Sequence, residues 1–394
     1  MVKKLDVLLV IGLFENEQLD NKKIQFKINK VGYNAIYSLT RKLQKENLIV
    51  KSNNGFNIAS NQKAKELFSL IYFCFKNNID YNSVVSKEIA EYLKTGITSR
   101  YLDNSKVPRN INKILSKNGM IIIESRKPVL ARIIPSNFIA LLFKYFLNYI
   151  YEYKESQYNF IDYINEKDID KKIDKLFRRY VPSNNKFEDI KFIYSSLSLE
   201  GIGLTLPETE KLIKEKITPN ISKYEDIQQT TDYKRAIDFL KSKVLTLENI
   251  VEFHKIAMAT LNYGKGEIRN QNVIIKNNPE FKTADHKEIS VKLALFEKKL
   301  IEFSNSKKVR PYMLVEQASY LHNEFQRIHP FIDGNSRTSR GIFSIYLYKR
   351  GFGLISIPIG YFDIYMNQTK LSNKRDDHSF TKLMKLIVLK NLEE

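Results

Sequence analysis

The chain has 394 residues, of which 43% are apolar, and a net charge of +20 at neutral pH. This length favours two or three domains, and the apolar fraction is ordinary for a globular protein with a sizeable core. No apolar run reaches the roughly 18 residues that a membrane-spanning helix needs, so we expect no membrane partner. Cys74 is the only cysteine, which excludes an internal disulfide. Together with an N-terminus unlike a signal peptide, it favours the cytoplasm.

The positive charge is concentrated in the N-terminal part of the chain. Residues 1–150 hold 24 Lys and Arg against 11 Asp and Glu, which gives this part +13 of the total. Such an excess favours a polyanionic partner such as DNA. Compositional drift is the alternative, because Lys, Asn and Ile are abundant throughout the chain.

Two N-terminal segments share one order of elements. The first predicts three helices and a hairpin, with the third helix at 34–47. The second predicts helices at 83–96 and 106–119, closed by Gly96 and Gly119, and then another hairpin. A basic helix followed by a hairpin is typical of winged-helix domains, which bind either DNA or protein. We therefore predict winged-helix-like units at 1–60 and 61–135.

The rest of the sequence predicts helices. We expect a helical linker over 136–187 and a helical domain over 188–394. The predicted fold class is therefore mainly α, with β structure confined to the winged-helix units and one small hairpin.

The densest group of reactive side chains is HPFIDGNSRTSR, residues 329–340. It lies between two periodic helices, predicted at 312–328 and 337–351, so its last residues form a helix N-terminus. A helix N-terminus presents unpaired N–H groups and partial positive charge, which suits phosphate. Gly334 lets the backbone approach such an anion closely.

The side chains of this motif predict a nucleotide site. Arg337 and Arg340 lie three apart on one helix face and can grip phosphate oxygens. Asp333 beside an anion requires a divalent cation, and Mg²⁺ is commonly held by one carboxylate plus phosphates. His329 can take a proton from a hydroxyl. Together these groups predict transfer from a nucleoside triphosphate to a hydroxyl.

The sequence lacks the motifs of two other kinds of site, one that binds nucleotide and one that binds zinc. The sequence contains no GxxxxGK[ST] run, so the site is not a P-loop. His322 and His329 are separated by seven positions and do not form the HExxH pattern of a zinc protease.

The motif resembles the signature of the Fic family, HxFx(D/E)GNGRxxR, at every position but one. The exception is Ser336, which replaces the second glycine. A positive φ at this position would make serine cost roughly 1 kcal/mol or more of strain. In the first turn of a helix serine would cost little, and we expect this second situation.

The resemblance implies an all-helical domain that moves AMP from ATP onto a protein hydroxyl and releases pyrophosphate. It implies that His329 is the base and that Asp333 holds Mg²⁺ between the α- and β-phosphates. It also assigns nucleotide binding to the anion hole and the two arginines, namely Gly334, Asn335, Ser336, Arg337 and Arg340.

Residues 266–289 resemble the Fic flap, whose pattern is G-x-x-R-x-x-x-V-x-I. Gly266 and Arg269 match it, as do two apolar residues of the run QNVIIK. This run predicts a short β-strand whose exposed edge can hold an extended target segment by main-chain hydrogen bonds. An ordinary surface hairpin is the alternative. The residues expected to dock the target are Val273, Ile274 and Ile275.

The stretch YSSLSLEG, residues 194–201, resembles the inhibitory motif (S/T)xxxE(G/N) of self-inhibited Fic proteins. Ser196, Glu200 and Gly201 occupy its defining positions. Glu200 can pair with Arg340, which would remove the cation that the γ-phosphate needs and block its space. We therefore predict an inhibitory helix around 190–201.

Residues 364–390 resemble the closing helices of Fic domains, and the spacing places Tyr365 and Asn373 near the adenine. The resemblance covers about 188–390, roughly half of the chain. It does not extend to the winged-helix-like units, so DNA binding by residues 1–135 is a separate expectation.

We therefore predict a protein adenylyltransferase that uses ATP and Mg²⁺, acts on a Ser, Thr or Tyr hydroxyl of a target protein, and is inhibited by Glu200. Three alternatives stay open. The same site could remove AMP, it could use another donor, or the chain could be a DNA-binding regulator whose Fic domain senses nucleotide. A homodimer is compatible with all of them.

Overall fold

The computed structural model describes residues 2–29, 31–103, 105, 107–126, 128–152, 161, 164–181, 186–219, 222–261, 264–275, 281–370 and 377–393. It divides into two compact units, Met1–Tyr153 and Lys154–Glu394. Helices dominate both units, as the sequence predicted. None of the helices in the described ranges is long and apolar enough to cross a membrane.

The first part of the N-terminal unit contains three helices and an antiparallel hairpin, in the predicted order. These elements are α1 (Lys4–Leu13), α2 (Asn21–Ile28), α3 (Tyr33–Lys45), β1 (Ile49–Ser52) and β2 (Gly55–Ile58). A bridge between Leu19 and Phe56 attaches the hairpin to the segment that follows α1. The hairpin is therefore held against the helices.

The second part of this unit also ends in a hairpin. Its elements are α4 (Gln62–Lys76), α5 (Tyr81–Val84), α6 (Lys87–Ser99), α7 (Ile111–Lys117), β3 (Ile121–Arg126), β4 (Val129–Ile133) and α8 (Asn137–Leu147). The prediction that Gly96 closes the first helix is wrong, because α6 continues until Arg100 adopts the left-handed conformation. Gly96 instead lies where the helix packs closely on Leu102, since a Cβ there would lie 2.7 Å from that side chain.

The C-terminal unit is mainly helical in its described residues. Its helices are α9 (Glu166–Phe177), α10 (Lys186–Ser198), α11 (Leu206–Glu215), α12 (Tyr224–Ser242), α13 (Leu247–Ala257), α14 (Ile289–Asn305), α15 (Pro311–Ile328), α16 (Asn335–Tyr348), α17 (Phe362–Lys370) and α18 (Asp377–Leu392). The segment 136–187, predicted as a linker, contributes α8 to one unit and α9 to the other.

The central helix of the C-terminal unit is α15, which packs against α9, α14, α16 and α18. Pro311 starts it, at a position where a missing N–H costs nothing. Five of its apolar residues recur at helical spacing and are buried, namely Leu314, Ala318, Leu321, Phe325 and Ile328. This buried stripe fixes the end of α15, where the HPFIDGN loop begins.

A buried cation joins three of these helices. The Lys385 ammonium on α18 lies 2.6–2.9 Å from carboxylate oxygens of Glu166, Asp170 and Glu316. Burial disfavours the charged lysine, but the three acidic partners outweigh this and raise the pKa of Lys385. These acids are the one group of three or more acidic, histidine or cysteine side chains in the described chain that could hold a metal ion, and the lysine already serves as their counterion.

Candidate active site

The loop between α15 and α16 is shaped by two residues in the left-handed conformation. His329 ends α15 with φ 50° and ψ 58°. Gly334 precedes the first residue of α16 with φ 75°. A Cβ on Gly334 would lie 2.6 Å from Sδ of Met258, so both backbone angle and space require glycine there.

The loop is closed internally by Asn335. Its carboxamide oxygen accepts from the main-chain N–H of Phe331 at 3.0 Å, and its nitrogen donates to the Phe331 carbonyl at 2.8 Å. This pair of bonds fixes the turn that carries Asp333.

His329 is held by the buried guanidinium of Arg269. Nε of Arg269 donates to the His329 carbonyl at 2.7 Å, and its main-chain N–H donates to the Pro330 carbonyl at 2.9 Å. The remaining guanidinium nitrogens bind the carbonyls of Gln271 and Ala284. A cation at the C-terminus of α15 complements the helix dipole. Arg269 therefore stabilises the left-handed backbone of the candidate base.

The His329 side chain is a neutral base in this environment. It is 9% exposed, and burial lowers its pKa to about 4. Nδ1 lies 3.3 Å from the Gln326 carbonyl, an acceptor, so we assign the ring proton to Nδ1. This tautomer leaves Nε2 free to accept a proton.

His254 on α13 supports the same loop from the other side. The Gly266 N–H donates to its Nδ1 at 3.0 Å, so Nε2 must carry the proton that is donated to the Asp333 carbonyl at 2.9 Å. Its ring stacks on Phe331 with centroids 3.6 Å apart. Burial lowers the pKa of His254 to about 4, which keeps this bridging tautomer neutral.

The N-terminus of α16 is open for an anion. None of the described side chains caps it, so its first N–H groups are available in the manner of phosphate sites. Ser336 lies within the first turn of the helix and its φ is not positive. The conformational expectation for Ser336 is therefore met, and the serine keeps its backbone N–H where the signature has glycine.

Arg337 and Asp333 lie together at this helix end. Arg337 is 4% exposed, and its Nε has no hydrogen-bond partner among the described residues. Its other nitrogens lie 3.1 Å from Gln229 Oε1 and 3.8 Å from Asp333 Oδ2. An unsatisfied buried N–H of an arginine calls for an acceptor, and a phosphate oxygen would be one.

Asp333 is suited to a divalent cation. Its side chain is 48% exposed, and Oδ1 accepts from the Gly334 N–H at 2.6 Å. It belongs to no group of several described acidic or histidine ligands. This single carboxylate fits Mg²⁺, which usually takes few protein ligands and completes its shell with phosphates and water.

Arg340 is bound by the segment that resembles an inhibitory motif. Its guanidinium pairs with Glu200 and donates to Oγ and the carbonyl of Ser196, at 2.9 and 2.8 Å. Burial disfavours the charged guanidinium, but Glu200, Tyr365 and Tyr233 together outweigh this and raise the pKa of Arg340. Gly201 follows with φ 82°, where the chain leaves this segment.

A directed chain of hydroxyls extends this contact. Arg340 Nε donates to Ser196 Oγ, and the Tyr233 hydroxyl donates to the Arg337 carbonyl at 3.1 Å. Both ends are fixed, so the Ser196 hydroxyl must donate to Tyr233 across 2.9 Å. This series of hydrogen bonds links α10 to Arg337 and Arg340 through Tyr233 of α12. Burial raises the pKa of Tyr233 to about 12, so it stays protonated.

The flap and the closing helices differ from the sequence predictions in detail. Residues 271–274 do not form the predicted strand; only Ile275 lies in a bridge, and the following residues 276–280 lie outside the described ranges. Ile274 is 79% exposed, and Val273 and Ile275 are partly exposed. Tyr365 is buried in α17, and its hydroxyl contacts His322 Nε2 at 2.8 Å. Asn373 lies outside the described residues.

The loop thus brings together His329, Asp333 and Arg337, while Glu200 and Ser196 meet the buried Arg340. Sequence reasoning gave no supporting role to Arg269, His254 or Tyr233. Only Arg269 carried a signal, because it matched the flap pattern.

Comparison with known families adds to this geometry. The family model described as "Fic/DOC family" matches residues 244–347, from just before α13 almost to the end of α16. The part of the chain that carries the site therefore matches the Fic domain model. The matched segment includes the HPFIDGN loop and both arginines but not Glu200.

Named relatives match about half of the chain. Proteins named "Protein adenylyltransferase Fic" from Drosophila persimilis and Drosophila erecta are both 25% identical to it over 198 residues, which is 49% of this chain. The match covers only 38% and 39% of the length of these relatives.

Solved Fic structures have a similar fold. A Fic family protein from Desulfovibrio desulfuricans G20 aligns with a TM-score of 0.50 and 18% identity, over 62% of this chain and 74% of that one. Fic-1 from C. elegans aligns with a TM-score of 0.50 and 16% identity, over 66% of this chain and 77% of that one. Both support the helical Fic architecture.

Proposed function

We propose that the Fic domain transfers AMP from ATP to a Ser, Thr or Tyr hydroxyl of a target protein. One observation carries the proposal: a buried neutral histidine and a buried arginine with an unsatisfied N–H flank an uncapped helix N-terminus. The names of the relatives in Drosophila support AMP as the transferred group.

In the proposed reaction Nε2 of His329 accepts the proton of the target hydroxyl. The hydroxyl oxygen forms a bond to the α-phosphorus, and the bond from this phosphorus to the oxygen that bridges to the β-phosphate breaks. Pyrophosphate leaves with the bonding electrons. The N–H groups of Asn335 and Ser336 and the Arg337 guanidinium stabilise the negative charge on the phosphates.

Asp333 would hold Mg²⁺ in this site. When bound, the ion neutralises phosphate charge. The protein itself supplies the orientation, because Asn335 and His254 fix the backbone of the turn. Cytoplasmic location is part of the proposal, and the free, buried thiol of Cys74 is in keeping with a reducing compartment.

Glu200 inhibits the reaction in this proposal. Its carboxylate forms an ion pair with the guanidinium of Arg340, and the γ-phosphate of ATP would need the same guanidinium. Displacement of the end of α10 would release Arg340 and permit transfer. The exposed run Val273–Ile275 would then register an extended segment of the target by main-chain hydrogen bonds.

The test is incubation of the full chain with Mg²⁺ and ATP labelled at the α-phosphorus, read as label on protein and as released pyrophosphate. We expect weak label with the wild type, at least tenfold more with Glu200→Gly, and none with Glu200→Gly/His329→Ala. Glu200→Gly/His378→Ala is the matched control, because His378 is 66% exposed on α18.

The outcomes separate the alternatives. Equal label from the His329 and His378 double variants would contradict the assignment of the base. No label from any variant, with ATP still bound, would contradict AMP transfer. Release of AMP from a modified protein by the wild type would then favour the reverse reaction.

A further inference from the structure

The exposed face of α3 carries stacked aromatic rings and a cation. Tyr33 and Tyr37 are each 43% exposed and stack with ring centroids 6.4 Å apart. The Arg41 guanidinium lies 5.3 Å from the centroid of Tyr37 and continues the row. Two exposed polar residues, Asn34 and Ser38, flank this row. We call these five residues the α3 face.

The α3 helix as a whole carries positive charge that no acidic residue of the helix compensates. No Asp or Glu occurs within Tyr33–Lys45. Arg41, Lys42 and Lys45 are exposed and form no ion pair in the part of the chain that the structure describes. The nearest acid in sequence after α3, Glu46, already pairs with Lys4 at 2.6 Å.

The hairpin that follows is also basic and is held in place. Lys51 and Asn53 are exposed, and β1 and β2 contain no acidic residue. The Phe56 N–H donates to the Leu19 carbonyl at 2.8 Å, and Thr40 of α3 donates to Asn21 of α2 at 2.9 Å. The helix and the hairpin therefore present one preformed surface.

We propose that the α3 face binds the major groove of double-stranded DNA. A helix of 13 residues is about 20 Å long and fits a groove about 12 Å wide. Arg41, Asn34 and Ser38 are side-chain types that hydrogen-bond base edges, while Lys42, Lys45 and Lys51 suit phosphates.

Two comparisons favour this partner. The deep, narrow major groove of A-form RNA does not admit an α-helix, so duplex RNA is a poor fit. The corresponding helix of the second part of the unit, α7, has seven residues and no aromatic side chain. The α3 face is therefore the surface that we assign to DNA binding.

This inference does not depend on AMP transfer, and its test is separate. Binding of the full chain to a fluorescent 30-base-pair DNA of mixed sequence is measured by anisotropy at 50 to 200 mM KCl. We expect Lys42→Ala/Lys45→Ala to weaken binding about tenfold or more and to lower the salt slope by about two. Tyr37→Ala/Arg41→Ala should also weaken binding.

Lys63→Ala/Lys65→Ala is the matched control. Both lysines are exposed on α4, and the change removes the same charge. We expect it to alter affinity less than threefold, and circular dichroism verifies that each variant is folded. The inference is overturned by equal losses in the two lysine pairs, by no salt-dependent binding of the wild type, or by equally tight binding of duplex RNA or polyglutamate.

Discussion

The Tyr233 hydroxyl donates to the carbonyl oxygen of Arg337 at 3.1 Å, which links α12 to the first turn of α16. The same hydroxyl accepts from Ser196, whose oxygen accepts from Arg340. Tyr233 thus anchors the segment that neutralises Arg340 to the helix that carries both arginines.

Tyr233→Phe should therefore loosen the segment that carries Ser196 and Glu200. The ring keeps its packing against Phe192 and Phe253, but the buried Ser196 hydroxyl loses its acceptor, at a cost of about 1–3 kcal/mol. We expect more label than with the wild type, less than with Glu200→Gly, and a lower melting temperature. Tyr346→Phe is the control, because that buried hydroxyl pairs with Gln317 outside this chain of bonds. An activity below that of the wild type would contradict the anchoring role.

Arg269→Lys should impair the proposed AMP transfer, although Arg269 is not among the residues expected to bind ATP. Lysine keeps the charge but cannot bind the carbonyls of His329, Gln271 and Ala284 at once. A misplaced base of about 1 Å can cost on the order of 100-fold in rate. In the Glu200→Gly background we expect a fall of this size in kcat with little change in KM for ATP. A rise in KM alone would assign Arg269 to nucleotide binding.

The pH profile of kcat/KM for AMP transfer should show no fall on the acid side near neutral pH. An unperturbed histidine titrates near ~6.5, whereas burial holds the pKa of His329 at about 4. For the Glu200→Gly form, kcat/KM should stay nearly constant on the acid side down to about pH 5. A midpoint near pH 6.5 in kcat/KM would contradict a buried neutral base.

The same depressed pKa values affect stability. His254 and His329 have pKa values of about 4 when folded, below the unfolded value of ~6.5. As the pH falls from 6.5 to 4, the unfolded chain binds protons that the folded chain does not, so the free energy of unfolding decreases. Urea unfolding should show this fall, and His254→Gln should reduce it.

Ser336→Gly should have little effect on activity. The serine lies in the first turn of α16 without a positive φ, so glycine relieves no strain there. Glycine in a helix costs about 0.5–1 kcal/mol relative to alanine, so the melting temperature should fall slightly. We expect label incorporation by the Glu200→Gly form to change less than threefold. An increase above tenfold would show that Ser336 limits the proposed AMP transfer.

Gly334→Ala should abolish transfer, in contrast to the change at 336. Its φ of 75° is unfavourable for alanine, and the added Cβ would lie 2.6 Å from Met258 Sδ and 3.0 Å from His254 Nε2. We expect loss of label and of ATP-dependent thermal stabilisation. Full activity would mean that the loop can shift as a unit.

Local patterns predicted the framework of the site well. The apolar repeats placed α15 and α16 close to their observed limits, and Pro311 marks the start of α15. The HPFIDGN loop was predicted because its residues are contiguous. Glu200 was placed opposite Arg340 through a resemblance, since nothing local links residues 140 positions apart.

The supporting residues could not be predicted in the same way. Arg269, His254 and Tyr233 act on main-chain carbonyls 60, 79 and 104 positions away. A main-chain acceptor leaves no mark on the sequence of the partner, so no pattern reveals such contacts. The strand predicted in the flap failed for a related reason: a β-prone run does not by itself supply the second strand with which it must pair.

The pairing of Glu200 with Arg340 affects how the proposed AMP transfer would depend on the concentration of ATP. Because both residues belong to one chain, the carboxylate is an intramolecular competitor whose effective concentration does not fall when the protein is diluted. ATP would therefore have to displace a partner that is always present at Arg340. In the proposed function, the chain would respond to whatever pulls the end of α10 away, and hardly to ordinary changes in the supply of ATP.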